Sequence, residues 1–522
     1  MTHTHSLSVV SSLKGKQVFI TGVTGFLGKA IVEKILREVP EVAKIHLLVR
    51  GSLRQSAHER CMEGVFQSSI FDVLREFHGS QFQQLIDQKV RVVEGELTES
   101  LFGLDPNAFA ALGNKLDLII NSAASVNFRE NLDQALKINT LCLNNVVSLA
   151  NYNSHEDAVT SVVQVSTCYV NGLNQGEMLE QVVPPCSGLI PAIDADTFQI
   201  EPLIKQFQTK IDAIKVKYTN ESKREQKLIQ LGIQQSRHYG WNDTYTLTKW
   251  LGEQVLMQGL GKKNLTILRP SIIESTVFSP VKGWVEGVKV ADAMIYAYAK
   301  GRVSMFPGDV KGILDVIPVD LVANAAILAS AQLLQHPPGN NKQPYNIYQC
   351  CSGRLNPISL ENFIEHFQQA SFDQYEDLPK LFSGKPQEMF TIVSQKKFAL
   401  YMKALTSFTW LKTSFARLAG SKSAGKHLLK IQTTASLAVI FGFYSAPRYR
   451  FDSIKLEGLK ALFSKEEQSC FEVSADSYDW KTYLRDIHLP GLHKYGLADK
   501  KVPPNSTKIQ ETEVQAEKNQ AA

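Results

Sequence analysis

Tyr245 and Lys249 lie four residues apart in Tyr-Thr-Leu-Thr-Lys, a spacing that puts both side chains on one helix face. A phenol beside an ammonium group is a proton donor with a lowered pKa, because the cation stabilises the phenolate. The spacing alone is ordinary. With 16 tyrosines in the chain, about one such pair is expected by chance, and Tyr296 with Lys300 makes a second. The surrounding elements must decide between them.

The first of those elements is Val18 to Gly28, Val-Phe-Ile-Thr-Gly-Val-Thr-Gly-Phe-Leu-Gly. It reads as a buried strand, a turn at Gly22, Gly25 and Gly28, and a helix with Ile31, Ile35 and Leu36 on its apolar face. Glycine lets the backbone approach a ligand closely, and a helix N-terminus offers free N–H groups, so this is a place for a pyrophosphate. The spacing is G-x-x-G-x-x-G rather than the commoner G-x-G-x-x-G.

A second strand, Ile45 to Val49, ends at Arg50. A basic residue there accepts a 2′-phosphate and points to NADP(H), with Ser52 or Arg54 as helpers; the plain alternative is a solvated arginine. The strand Arg91-Val92-Val93 ends in Gly95-Glu96-Leu97-Thr98, beside the adenine position. Leu118 to Asn121 leads into Ser122-Ala123-Ala124-Ser125-Val126, small residues that leave room for a cofactor. Asn139, on the next helix, reads as a surface residue, with a hydrogen bond across the sheet as the alternative.

Val162 to Thr167 is a further strand, with Ser166 and Thr167 at its end. Tyr245 and Lys249 fall between it and the strand Leu265 to Ile272. Tyr296 and Lys300 come after both, where their helix would no longer face the nicotinamide. Tyr245 and Lys249 are therefore the working pair.

Roughly seventy residues, Leu173 to Trp241, form an insertion long enough to be functional. Ile204, Phe207, Ile211 and Ile214 make an apolar stripe in it. Asp320 reads as a helix N-cap, Tyr345 to Gln349 as a strand, and Asn356 to Ser359 as a helix start. Strand signals thin out beyond about residue 360. The expected organisation is an α/β doubly wound parallel sheet of Rossmann type over 1–360, a helical domain over 361–500, and a disordered tail over 501–522.

The chain has 522 residues, 44% hydrophobic and 20% charged, with net charge +5. That composition is globular and argues against a nucleic-acid partner. Seven cysteines, with no C-x-x-C pair, read as reduced thiols in a cytoplasmic protein, with no disulfide framework and no metal site. The N-terminus has no signal-peptide core. The apolar run Ala435 to Tyr444 falls short of the roughly 20 residues that span a bilayer. From Lys396 to Lys430 there are eight Lys or Arg and no Asp or Glu, interleaved with Phe398, Leu405, Phe408, Trp410, Leu411 and Phe415. The readings are a helical hairpin with a solvated basic face, a peripheral contact with anionic membrane, or a surface for the phosphates of a large acidic substrate.

As an ordered set, residues 21–28, 47–50, 121–128, 165–172, 245–249, 268–272 and 315–320 resemble the fatty acyl-CoA reductases, which are extended short-chain dehydrogenases. The resemblance continues through Asp479-Trp480 and Tyr483-Leu484. Cys350-Cys351-Ser352-Gly353 and the insertion look most like the bacterial, wax-ester-linked, alcohol-forming branch. The resemblance implies NADPH-dependent reduction of long-chain acyl-CoA to the primary alcohol through an aldehyde. It assigns Gly22, Thr24, Gly25, Phe26, Leu27 and Gly28 to the pyrophosphate, and Arg50 to the 2′-phosphate. Glu96, Leu97, Ala123, Ala124, Val126, Ser166, Pro270 and Ile272 complete the cofactor site, and Thr167, Tyr245 and Lys249 form the catalytic group. Thr167 is preferred to Ser166 because the extended families place the catalytic hydroxyl five residues before the glycine matching Gly172. Glu96 departs from the family, which commonly has aspartate there. An enzyme that stops at the aldehyde or uses a carrier-protein donor, and an NADPH-containing lipid-surface protein without turnover, are the alternatives.

Overall fold

The computed structural model describes residues 6–152, 160–260, 262, 264–301, 305–335, 345–386, 391–418 and 442–498. Residues 419–430 of the basic stretch, most of the apolar run at 435–444 and the tail from 501 lie outside them. Two units are present. The first is Met1–Val281, Val316–Leu355 and Phe451–Ser477; the second is Lys282–Asp315, Asn356–Arg450 and Tyr478–Ala522. The units are not the expected continuous spans 1–360 and 361–500: Lys282–Asp315 falls in the second unit and Phe451–Ser477 in the first.

Among the described residues of the first unit, seven strands form the main sheet: β1 Gln17–Thr21, β2 Lys44–Val49, β3 Val90–Glu94, β4 Leu118–Asn121, β5 Ser161–Val165, β6 Leu265–Pro270 and β7 Asn346–Cys350. Their order is β7-β6-β5-β4-β1-β2-β3, and every pair is parallel. This is the Rossmann-type sheet. The winding reverses between β1 and β4, and ligands bind such sheets at the strand C-termini beside that reversal. Strands covered on both faces read as unbroken apolar runs, and every residue of β4, β5 and β6 is buried.

The insertion contributes two helices, Glu201–Lys217 and Glu221–Tyr239. Phe207 and Ile211 are buried in the main core, with Ile204 and Ile214 partly buried against it. Glu180, also in the insertion, ties distant segments together. Its buried carboxylate accepts from Gln349 N at 2.8 Å, Leu456 N at 3.2 Å and Lys455 N, so it closes the start of the helix Ile454–Lys460. Burial raises its pKa to about 7 against these bonds.

Two expectations are corrected. Asp320 is not an N-cap: the helix runs Val319–Gln335, and the Asp320 carboxylate accepts from the backbone N–H groups of Val277, Phe278 and Ser279 at 2.8–3.1 Å. Asn139 is not on the surface but 4% exposed. Its Oδ1 accepts from Ser125 N at 2.9 Å, and its Nδ2 donates to Ser125 O and Thr248 Oγ1 at 3.1 Å.

The second unit is mainly helical. Its helices include Val290–Ala299, Leu360–Gln374 and Gln395–Leu418, and Met305–Pro307 pairs in parallel with Thr391–Val393. Ser359 caps Leu360–Gln374 through Asn362 N. Asp292 and His488 form a buried pair at 2.8 Å, and Trp480 Nε1 donates to Asn356 O at 2.9 Å. The helix Gln395–Leu418 buries Phe398, Met402, Thr409 and Thr413, while Leu400, Phe408, Trp410 and Leu411 are exposed. Among the described residues, no helix is long and apolar enough to cross a membrane.

Asp320→Ala leaves the backbone N–H groups of Val277, Phe278 and Ser279, the first of them buried, without their acceptor. It is expected to lower unfolding stability by about 3 kcal/mol, read as a fall in the denaturant midpoint. Asp320→Asn, which keeps one acceptor oxygen, should lose less.

Candidate active site

A buried polar row crosses the strand ends. Thr21 Oγ1 donates to Asn121 Oδ1, Asn121 Nδ2 donates to Gln164 Oε1 at 2.7 Å, and Gln164 Nε2 donates to Val165 O at 2.7 Å. Lys249 Nζ donates to the same Val165 O at 2.7 Å. At the other end Ser122 Oγ donates to Thr21 O at 2.7 Å, and Ala123 N donates to Thr21 Oγ1 at 3.3 Å. The row thus joins the glycine turn to the lysine of the working pair.

At the turn Gly22 has φ +74°, and a Cβ there would stand 2.6 Å from Ala123 N. Gly25 caps the helix Phe26–Glu38, so Phe26, Leu27 and Gly28 form its first turn. A Cβ on Gly28 would stand 2.3 Å from Gly22 O. The turn and the strand ends enclose a cavity of about 300 Å³. Its wall includes Gly22, Thr24, Gly25, Arg50, Glu96, Leu97, Ala123 and Ala124. Val126, Ser166, Pro270 and Ile272 are not part of that wall; Val126 is exposed and the other three are buried. A glycine cradle at a helix start, opening on two arginines, fits the pyrophosphate and ribose of a nicotinamide dinucleotide.

The second arginine is Arg60, which sequence reasoning missed. It lies in the cavity wall, where Ser52 and Arg54 do not. Its guanidinium donates to Arg50 O at 3.0 Å. The readable signal was the capping box of Ser56 and Glu59, which starts a short helix at Ala57 and so fixes where Arg60 falls.

Tyr245 and Lys249 stand on the helix Thr244–Leu260. The Thr167 side chain hydrogen-bonds Tyr245, and Thr167 Oγ1 lies 3.4 Å from Pro270 O. Ser166 Oγ is buried without a hydrogen-bond partner. The Tyr245 ring packs edge-on to Phe128. Its pKa differs from expectation: burial raises it, the Thr167 bond opposes that rise, and Lys249 is turned to Val165. Burial lowers Lys249 to about 8, with Glu253 opposing. Glu253 itself is held by Arg269 through bonds of 2.9 and 2.7 Å. Cys168 donates its thiol hydrogen to Arg269 O at 2.9 Å. Tyr296 and Lys300 belong to the second unit, where Lys300 Nζ donates to Lys380 O at 2.9 Å.

Residues 20–326 match the family model described as Male sterility protein, an NAD-binding family. The chain is 31% identical to the fatty acyl-CoA reductase 2, chloroplastic, of Arabidopsis thaliana, over 94% of this chain and 80% of that one. It is 31% identical to the alcohol-forming fatty acyl-CoA reductase of Simmondsia chinensis, over 94% and 99%. Among solved structures, the terminal R domain of the myxalamid PKS-NRPS pathway superposes with TM-score 0.57 at 16% identity, covering 94% of this chain and 93% of that domain. The reductase domain of a nonribosomal peptide synthetase from Mycobacterium tuberculosis gives 0.56 at 16% identity, covering 95% of each. At that identity the two structures speak for the fold.

Gly22→Ala combines a strained φ with a backbone clash at the cavity floor. It is expected to weaken nicotinamide-cofactor binding by about tenfold or more, measured by cofactor fluorescence titration. The secondary structure should persist.

Proposed function

This chain belongs to the fatty acyl-CoA reductases of the Male sterility protein family, and on that basis we propose that it reduces a long-chain fatty acyl-CoA to the primary alcohol with NADPH in two hydride transfers. The observation that carries the reading is the convergence of Thr167, Tyr245 and Lys249 on the strand ends that also build the glycine cavity. Arg50 and Arg60 on the cavity wall supply the positive charge a 2′-phosphate needs.

A bound reduced nicotinamide supplies the hydride. Tyr245 donates its proton to the carbonyl oxygen as negative charge develops there. Burial raises the Tyr245 pKa, which opposes this transfer, so a cation brought beside the phenolate is what would make the phenol an effective donor. Thr167 gives a second hydrogen bond to the same oxygen, as an oxyanion-hole donor does. Lys249, which now donates to Val165 O, would hold the ribose of a bound cofactor and would offset charge on the phenolate. The first addition gives a hemithioacetal, which expels CoA as the thiol and leaves the aldehyde. A second hydride and proton then give the alcohol. No cysteine nucleophile takes part.

We also propose a peripheral lipid contact for the helix Gln395–Leu418. Leu400, Phe408, Trp410 and Leu411 lie exposed on it beside Lys396, Lys397, Lys403 and Lys412, and the helix has no acidic residue. Exposed apolar groups with lysines suit an anionic bilayer surface. Sedimentation with phosphatidylserine vesicles should carry the protein down, and Trp410→Glu should leave it in the supernatant.

With palmitoyl-CoA, two NADPH consumed per CoA released, with hexadecanol as product, is the expected result. One NADPH per CoA with hexadecanal would restrict the enzyme to the first reduction. Tyr245→Phe should lose about a thousandfold in kcat while still binding NADPH. Lys249 works as a cation and loses its proton near pH 8. The ratio kcat/KM should therefore fall as pH rises through about 8, and Lys249→Arg should move that limb to higher pH.

A further inference from the structure

The cavity wall that holds Arg50 and Arg60 also holds an anion. Glu96 Oε2 accepts from Arg50 Nη1 at 3.0 Å. Its other oxygen accepts from the Thr98 hydroxyl at 3.3 Å. The backbone beneath is fixed as well. Glu96 N donates to Phe102 O at 2.8 Å, across a turn in which Leu101 and Phe102, neither a glycine, have φ of 52° and 59°. Left-handed conformations at two successive bulky residues are costly and persist where surrounding bonds enforce them. Asn145 provides those bonds: its Oδ1 accepts from Leu101 N at 3.2 Å, and its Nδ2 donates to Leu97 O at 3.1 Å and Glu99 O at 2.7 Å.

We infer that Glu96 competes with the cofactor's 2′-phosphate for Arg50 and so sets how strongly the enzyme prefers NADPH to NADH. The inference rests on the reading above, in which the phosphate end of the cofactor meets Arg50. A phosphate on Arg50 must break the Arg50–Glu96 pair and then sit beside a carboxylate of like charge. NADH meets neither cost, and its ribose hydroxyl can donate to Glu96. Arg60 adds attraction for the phosphate without a carboxylate in its own hydrogen bond, which goes to Arg50 O. The side chain of Arg50 is 65% exposed, so solvent screens the pair and its weight is modest.

The test is a fluorescence titration of the full-length protein with NADPH and with NADH at low ionic strength, for the native chain, Glu96→Gln and Arg50→Gln. Glu96→Gln should tighten NADPH about fivefold, the size of an exposed charge pair. NADH should not tighten, so the NADPH/NADH ratio rises by about the same factor, and added salt should shrink the difference. An unchanged ratio in Glu96→Gln overturns the inference. So does an equal weakening of both cofactors, which would mark Glu96 as an adenine contact. Arg50→Gln keeps the two readings apart. It should lower the ratio, and an unchanged ratio there removes the phosphate from Arg50 and the inference with it. A lowered ratio in Arg50→Gln with no change in Glu96→Gln leaves the cofactor reading standing and Glu96 without this role.

Discussion

Three polar side chains in the middle of an apolar sheet must find partners in one another. Thr21, Asn121 and Gln164 are each at most 3% exposed, and an unpaired buried amide or hydroxyl costs more than the bond it would make is worth. Their mutual bonds fix the register of three neighbouring strands at the C-terminal edge. The glycine turn hangs from one end of the row through Thr21, Ser122 and Ala123, and Lys249 meets the other at Val165 O. The glycine turn and Lys249 share one frame, so a displacement of either is resisted by the same bonds.

The glycine turn, the strands and the Tyr245–Lys249 pair were legible because each is a local pattern. A glycine cradle needs a few residues in a row, and a helix face repeats every turn. What stayed hidden was set by partners far along the chain. Asn139 meets Thr248 across 109 positions, Asp320 meets Val277 across 43, and Glu180 meets Leu456 across 276. Each has the sequence look of an ordinary surface or capping residue. The Tyr245 pKa was misjudged for a related reason. A motif shows which charges are near in sequence, whereas desolvation depends on everything packed around the hydroxyl.

The site divides into rigid and adjustable parts. The turn at Leu101 and Phe102 is braced by Asn145, and the Arg269–Glu253 pair is buried and bidentate. Lys249, by contrast, rests on a backbone carbonyl that it can leave, and the Arg50–Glu96 pair is open to solvent. The Arg50–Glu96 pair is held at 3.0 Å in solvent, whereas the Lys249 bond to Val165 O is buried and 2.7 Å long.

The start of the first unit depends on residues made near the end of the chain. Glu467 accepts from Ser8 Oγ and Val9 N, each at 2.9 Å, and Lys34 Nζ donates to Cys470 O at 2.7 Å. A ribosome adding roughly 5–20 residues each second delivers Glu467 on the order of half a minute or more after Ser8. Until then Ser8, Val9 and Lys34 lack these partners, although the last strand of the sheet, Asn346–Cys350, has been made before Glu467. Synthesis therefore passes through a sheet that can assemble before its flank is sealed. A chain cut short before residue 467 would lack the partners of Ser8, Val9 and Lys34 on that flank.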